Sequence, residues 1–97
     1  MDPSIELTMF LLPGCPHCRL ALACLERLLQ EPRYRDIRVR RVDESKEKEL
    51  AARYDYYFVP TFFLGDVKLF EGHMELEDVK GVLEAALTAG GSREQPA

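Results

Sequence analysis

Between Leu12 and Pro16 the hydrophobic period of the chain changes, and that switch limits the folds open to it. Ile5, Leu7 and Met9 alternate with Glu6 and Thr8, and the segment closes in the unbroken apolar run Met9 to Leu12. Such a pattern suits a central strand covered on both faces. Pro13-Gly14 breaks it. From Pro16 to about Gln30 the apolar residues recur at helical spacing, with Leu20, Cys24 and Leu28 on one stripe and Cys18, Leu22, Leu25 and Leu29 beside it. So wide an apolar face predicts a largely buried helix, ended by Pro32.

The remaining segments extend this start. Asp36 to Val42 reads as a second strand, with Ile37 and Val39 facing one way and Arg38 and Arg40 the other. Glu44 to Tyr54 reads as a charged surface helix in which Glu44 and Lys48 form an i,i+4 pair. Thr61 to Leu64 and Val67 to Phe70 flank Gly65-Asp66, a two-residue hairpin turn. A last helix is predicted from about Glu75 to Ala89, with Leu76, Val79, Leu83, Ala86 and Leu87 toward the core and Gly90-Gly91 as its stop. The order βαβαββα, with a right-handed crossover and an antiparallel hairpin, gives an α/β fold: a four-stranded mixed sheet with three helices on both faces. With 97 residues there is room for one core, so 1–91 is expected as a single domain and 92–97 as a disordered tail.

Charge narrows the function classes. The net charge is −4, and the basic residues from Arg33 to Arg41 alternate with apolar ones, as on a solvated strand face rather than a nucleic-acid surface. The start, Met1 to Glu6, carries two acids and no base, and Met9 to Leu12 is too short for a secretory core or a membrane span. A cytoplasmic protein with no nucleic-acid or membrane partner is expected. Three cysteines in a reducing compartment point to redox or metal chemistry rather than a disulfide framework.

The chemistry-bearing motif is Cys15-Pro16-His17-Cys18, set between the first strand and the first helix. Pro16 at the first helical position loses no hydrogen bond, and the exposed amides and positive dipole end of the helix favour a thiolate at Cys15. His17, when protonated, would add positive charge beside that sulfur. Cys18, one turn on, is close enough to bridge Cys15 and to resolve a mixed disulfide. As a zinc pair the motif would need four ligands, and His17, His73 and Cys24 stand in no ribbon spacing. Cys24 lies about 9 Å along the helix from Cys18, too far for a bridge, and reads as a small core residue. His73 reads as a surface residue, Glu44 to Glu49 as a solvated face, and Tyr54, Tyr56, Tyr57 and Phe58 as packing around a proline loop, with Tyr57 or Phe58 able to rim a peptide groove.

The motif after Met9-Phe10-Leu11-Leu12, followed by Val59-Pro60-Thr61, resembles the thioredoxin superfamily from Ile5 to Leu87. Cys-Pro-x-Cys is similar to glutaredoxins; Val59-Pro60-Thr61-Phe62-Phe63 preceded by Ala51-Ala52-Arg53-Tyr54 looks more like thioredoxin proper. The resemblance implies a cis Pro60 lying against the dithiol and a docking frame of Gly14, Val59, Pro60, Thr61 and Gly72. The chain departs from thioredoxins in having Gly14 before the first cysteine and Met9 at their buried acid. It departs from glutaredoxins in having Leu12 at a basic position and only Gly72 and Glu75 left of the glutathione-holding segment. A glutaredoxin relative could instead carry an iron–sulfur cluster with glutathione across a dimer.

The expected function is thiol–disulfide exchange with protein or small-molecule disulfides. Cys15 would be the nucleophile, Cys18 the resolving thiol, and His17 and Pro16 would tune the pair. No bound cofactor is required, electrons would come from a flavoprotein reductase or a thiol pool, and a monomer is the simplest state. The competing expectation is a non-catalytic thioredoxin-fold binding module or redox sensor.

Overall fold

The structure, a computed structural model, describes residues 5–94, with side chains to 89. The strands are β1 (Ile5–Leu11), β2 (Ile37–Asp43), β3 (Thr61–Leu64) and β4 (Val67–Glu71), and the helices are α1 (Pro16–Leu28), α2 (Lys48–Ala51) and α3 (Leu76–Glu94). They form one four-stranded sheet in the order β2-β1-β3-β4. β1 runs parallel to β2, Ile5 opposite Ile37 and Leu11 opposite Asp43, whereas β3 is antiparallel to both β1 and β4. This is the mixed α/β sheet expected from the sequence.

Period-two alternation divides the core between the two faces of the sheet. Leu7, Met9, Leu11, Ile37 and Phe62 pack under α1 and α3, against Cys18, Ala21, Leu25, Leu28, Val79, Val82, Leu83 and Ala86. Phe10, Val42 and Phe63 point the other way, beneath Leu50 and Ala51 of α2 and the rings of Tyr54 and Tyr56. The Phe10 ring lies 4.7 Å from that of Tyr54 and 4.9 Å from that of Tyr56, centroid to centroid. The apolar run at the end of β1 therefore serves a strand with cover on both sides.

Five expectations need correction. The buried stripe of α1 is Cys18, Ala21, Leu25 and Leu28, and Leu20 is exposed. The helix covers the sheet with one face only, and Leu20 stands two residues, about 200° of rotation, from Cys18. The surface helix expected over Glu44 to Tyr54 is a single turn, Lys48–Ala51. Asp43 Oδ1 accepts from Ser45 N–H (2.9 Å), and the Asp43 carbonyl accepts from Lys46 and Glu47 N–H (3.0 Å each), so these groups close a turn instead of opening a helix.

Among the described residues no ion pair joins Glu44 to Lys48. Arg33 is also off the strand face: it sits in a 3₁₀ turn, Pro32–Tyr34, with both guanidinium contacts to Glu84 at 2.6 Å. Finally, α3 continues through Gly90 and Gly91 to Glu94. Glycine weakens a helix without forbidding it, and among the described residues only Gly65 and Gly72 take a positive φ. The last three residues of the expected tail, 95–97, and residues 1–4 lie outside the described residues.

Candidate active site

The topology brings four chain segments to one end of the sheet. β1, β2 and β4 leave there, and antiparallel β3 enters there, with Phe10 opposite Thr61. The Cys15 turn, the start of β3 at Val59-Pro60 and the segment after β4 therefore become neighbours. Sequence distance plays no part in that; strand direction does.

Cys15 is held as the residue that caps α1. Its N–H donates to the Leu12 carbonyl (3.1 Å), its backbone is extended (φ −83°, ψ 122°), and its own carbonyl accepts from Arg19 N–H at 3.1 Å. Pro16 follows at the first helical position, where no N–H is needed. The Cys15 thiol is held below its ordinary value, chiefly by the Cys18 backbone N–H facing its sulfur. Partial burial opposes the shift, while the Cys18 thiol, the His17 N–H and the Arg19 charge add to it. His17 thus acts on Cys15 through its backbone.

Cys18 is the opposite case. It is only 1 % exposed, within the core under α1. Burial pushes its thiol up to about 11, and the nearby Cys15 sulfur and the Glu44 charge push the same way; the backbone N–H of Leu12, donating to its Sγ at 3.4 Å, opposes them. No disulfide joins Cys15, Cys18 or Cys24 in this structure. Cys24 is half-buried against the core, as expected.

The residues expected to frame docking are mostly occupied with holding their own loop. Val59–Pro60 is cis, and Pro60 is fully buried. The Thr61 hydroxyl donates to the Phe58 carbonyl, and Gly72 N–H donates to the Pro60 carbonyl at 2.8 Å. Gly72 has φ +100°, a conformation that side-chain-bearing residues rarely adopt. Gly14 is exposed with open space around its Cα. Val59, half-buried, touches both core clusters.

Glu71 clamps the approach to this loop. One carboxylate oxygen accepts from the N–H groups of Tyr57 (2.5 Å) and Phe58 (2.8 Å), and the other meets Lys68 Nζ at 2.7 Å. With Lys68 as the largest influence and the two backbone donors next, the carboxyl is held down to about 2. Tyr57 and Phe58 are then left 82 % and 67 % exposed, unlike the packing role expected for them.

Sequence reasoning missed two sets of residues. His73 is exposed, yet its Nδ1 lies 2.9 Å from His17 Nδ1, and its Nε2 lies 2.5 Å from Glu75 Oε2. Glu44 is half-buried, not a solvated residue: its Oε1 accepts from the Tyr56 hydroxyl at 2.5 Å. No motif spacing could have revealed either arrangement, because each joins separate elements. Among the described residues no cluster of three or more His, Cys, Asp or Glu side chains is set to hold a metal ion.

No family model matches the sequence, and no curated protein matches it. Solved structures do match the fold. A thioredoxin of Malassezia sympodialis superposes with a TM-score of 0.68 at 15 % identity, over 86 % of this chain and 75 % of its own. A thioredoxin variant from Halobacterium salinarum gives 0.64 at 22 % identity, over 90 % and 75 %. Thioredoxin O2 of Arabidopsis thaliana, in its oxidised state, gives 0.56 at 25 % identity, over 84 % and 75 %. The chain is thus a thioredoxin-fold protein, with Cys15-Pro16-His17-Cys18 opening its first helix.

Proposed function

We propose that this chain is a thiol–disulfide oxidoreductase working through Cys15 and Cys18. The observation that carries the reading is the division of labour between two adjacent thiols: one half-exposed and favoured as thiolate, the other buried and favoured as thiol. The Cys15 thiolate attacks a substrate disulfide, forming a mixed disulfide and releasing one substrate thiolate. Cys18 then loses its proton and attacks the Cys15 sulfur. The second substrate thiolate leaves, and the protein keeps the Cys15–Cys18 disulfide. Two electrons have passed to the substrate, and an external dithiol or flavoprotein reductase restores the pair.

The burial of Cys18 serves this order of events. A resolving thiol that stays protonated does not compete with Cys15 for the incoming disulfide. The docking surface on this reading is the rim formed by Gly14, Val59 and the exposed Tyr57 and Phe58, which suits an extended protein segment.

The test is reduction of insulin with a coupled dithiol reductant. Repeated turnover that is lost in Cys15→Ser, with a trapped mixed disulfide in Cys18→Ser, is the expected result. Full turnover by Cys15→Ser would overturn the mechanism. Oxidation of the pair without turnover would favour a redox sensor or binding module instead.

A further inference from the structure

The segment from Tyr54 to Val59, which leads into cis Pro60, divides its large side chains in a way that core packing does not explain. Tyr54 and Tyr56 pack on the Phe10 ring, and Val59 is half-buried against both core clusters. Tyr57 and Phe58, between them, are left 82 % and 67 % exposed. A loop gains most from its rings by burying them, and adjacent apolar side chains held in water mark a surface that meets something else.

What holds this loop is polar and comes from β4. Glu71 Oε2 accepts from the N–H groups of both Tyr57 and Phe58, Glu71 Oε1 meets Lys68 Nζ at 2.7 Å, and Lys68 also donates to the Asp55 carbonyl at 3.1 Å. The Glu71 side chain is only 18 % exposed, so water does not compete freely for its oxygens. Hydrogen bonds to a carboxylate are stronger than those between neutral groups, and these fix the backbone at 57 and 58 without burying either ring. The next residue is different. Among the described residues no hydrogen bond uses the Val59 N–H or carbonyl, whereas the Phe58 and Pro60 carbonyls on either side accept from the Thr61 hydroxyl and the Gly72 N–H. Free backbone groups beside two exposed rings fit an extended peptide segment, whose main chain pairs at Val59 while its side chains meet the rings.

We propose that Glu71 is a positioning residue for substrate docking: it holds Tyr57 and Phe58 as a preformed aromatic pair beside Val59, and the pair selects disulfides carried on extended segments with apolar side chains next to the cysteine. The proposal rests on the dithiol reading above and deepens it by naming the substrate class. Glu71 acts through the loop and not on the reacting sulfurs. A loop fixed before the substrate arrives does not have to be ordered during docking. In Glu71→Gln the side chain has a single oxygen, and its NH₂ group faces either Lys68 or the two backbone donors, so the clamp opens and the rings lose their fixed place.

The experiment measures kcat/KM for two short disulfide-linked peptides that differ only beside the cysteine, one carrying Leu-Phe there and the other Ser-Ser. The wild type is expected to prefer the apolar peptide by about tenfold, the scale of one aromatic anchor. Glu71→Gln and the double variant Tyr57→Ala/Phe58→Ala should each abolish that preference. Combining them should change it no further, because Glu71 acts through the rings. A merely structural loss lowers both rates alike and leaves their ratio where it was.

Binding is read separately from turnover, in ¹⁵N-labelled Cys15→Ser/Cys18→Ser protein, from the amide shifts of Tyr57 and Phe58 on titration with the same two peptides. The same preference is expected in Kd, and Glu71→Gln in that background should remove it. Absence of turnover with the Kd preference intact would remove the catalytic reading and leave the docking role standing. Equal Kd values for the two peptides, or a preference that Glu71→Gln leaves unchanged, would overturn the proposal. So would a dimer that Tyr57→Ala/Phe58→Ala dissolves, which would assign the rings to a second copy of the chain.

Discussion

The sharpest consequence of the site geometry is a large difference in reactivity between two thiols three residues apart. Cys18 is buried, and its thiol is pushed up to about 11 from an ordinary 9.0. At pH 7 that leaves about one molecule in 10⁴ as thiolate, against about one in 10² for an unperturbed thiol with the same starting value. Cys15 moves the other way, so its thiolate fraction exceeds that of a free cysteine. The thiolate is the reactive form, and burial further limits access to Cys18. Iodoacetamide at pH 7 is therefore expected to label Cys15 at a rate at least a hundredfold above Cys18, read by peptide mass mapping of the reduced protein.

A direct titration separates acidity from access. In a Cys15→Ser, Cys24→Ala background, thiolate ultraviolet absorbance reports Cys18 alone. Removing Cys15 removes one upward influence but leaves burial, the largest. The midpoint is expected to stay above 9.0. A midpoint at or below that value, or equal labelling of the two thiols at pH 7, would refute the reasoning from burial. The same shift has a sign for folding. Because the folded state favours the protonated thiol, the reduced protein should lose stability as pH rises from about 9 through about 11, and Cys18→Ala should flatten that loss.

The remaining predictions concern an ion pair, two glycines and the third cysteine. Glu84 is held down to about 2 by Arg33 and by the Tyr34 hydroxyl, so the stability it contributes is present above its ordinary 4.5 and is lost as pH falls from there through about 2. Denaturant melts of Glu84→Gln should show a smaller pH dependence across that window than the wild type. Gly72→Ala should cost about 1–3 kcal/mol in a denaturant melt, because φ is +100° there, although no atom crowds the new methyl. Gly14→Ala, with open space and no positive φ, should be neutral to folding. Cys24→Ala should still lose two hydrogens by mass on oxidation, since the bridge forms between Cys15 and Cys18; failure to oxidise would show that Cys24 belongs to the redox pair.

Much of this protein was legible in the order of its residues. The alternation and closing apolar run of Ile5 to Leu12, the break at Pro13-Gly14 and the hairpin at Gly65-Asp66 are local signals, and the structure places a strand, a turn and a hairpin there. Such patterns work because burial against a sheet imposes a period of two on strands and 3.6 on helices wherever the segments lie. The dithiol was legible for the same reason: Cys15, Pro16 and Cys18 derive their geometry from one helix start. Local pattern failed where competing bonds were available. Asp43 turned the backbone that Glu44 to Tyr54 would have used for a helix, and Leu20 carried an apolar side chain to the exposed side of α1.

Only the tertiary structure decided what surrounds the two sulfurs. Strand direction puts the ends of β1, β2 and β4 beside the start of β3, and so delivers His73 and Glu75 to His17, Glu44 to the neighbourhood of Cys18 and Gly72 to Pro60. None of these pairs has a spacing rule, because the intervening chain can be of any length once the strands are paired. The sequence by itself determined which groups can do chemistry. The fold determined which thiol is made more acidic and which less, since that depends on burial and on partners that only folding supplies.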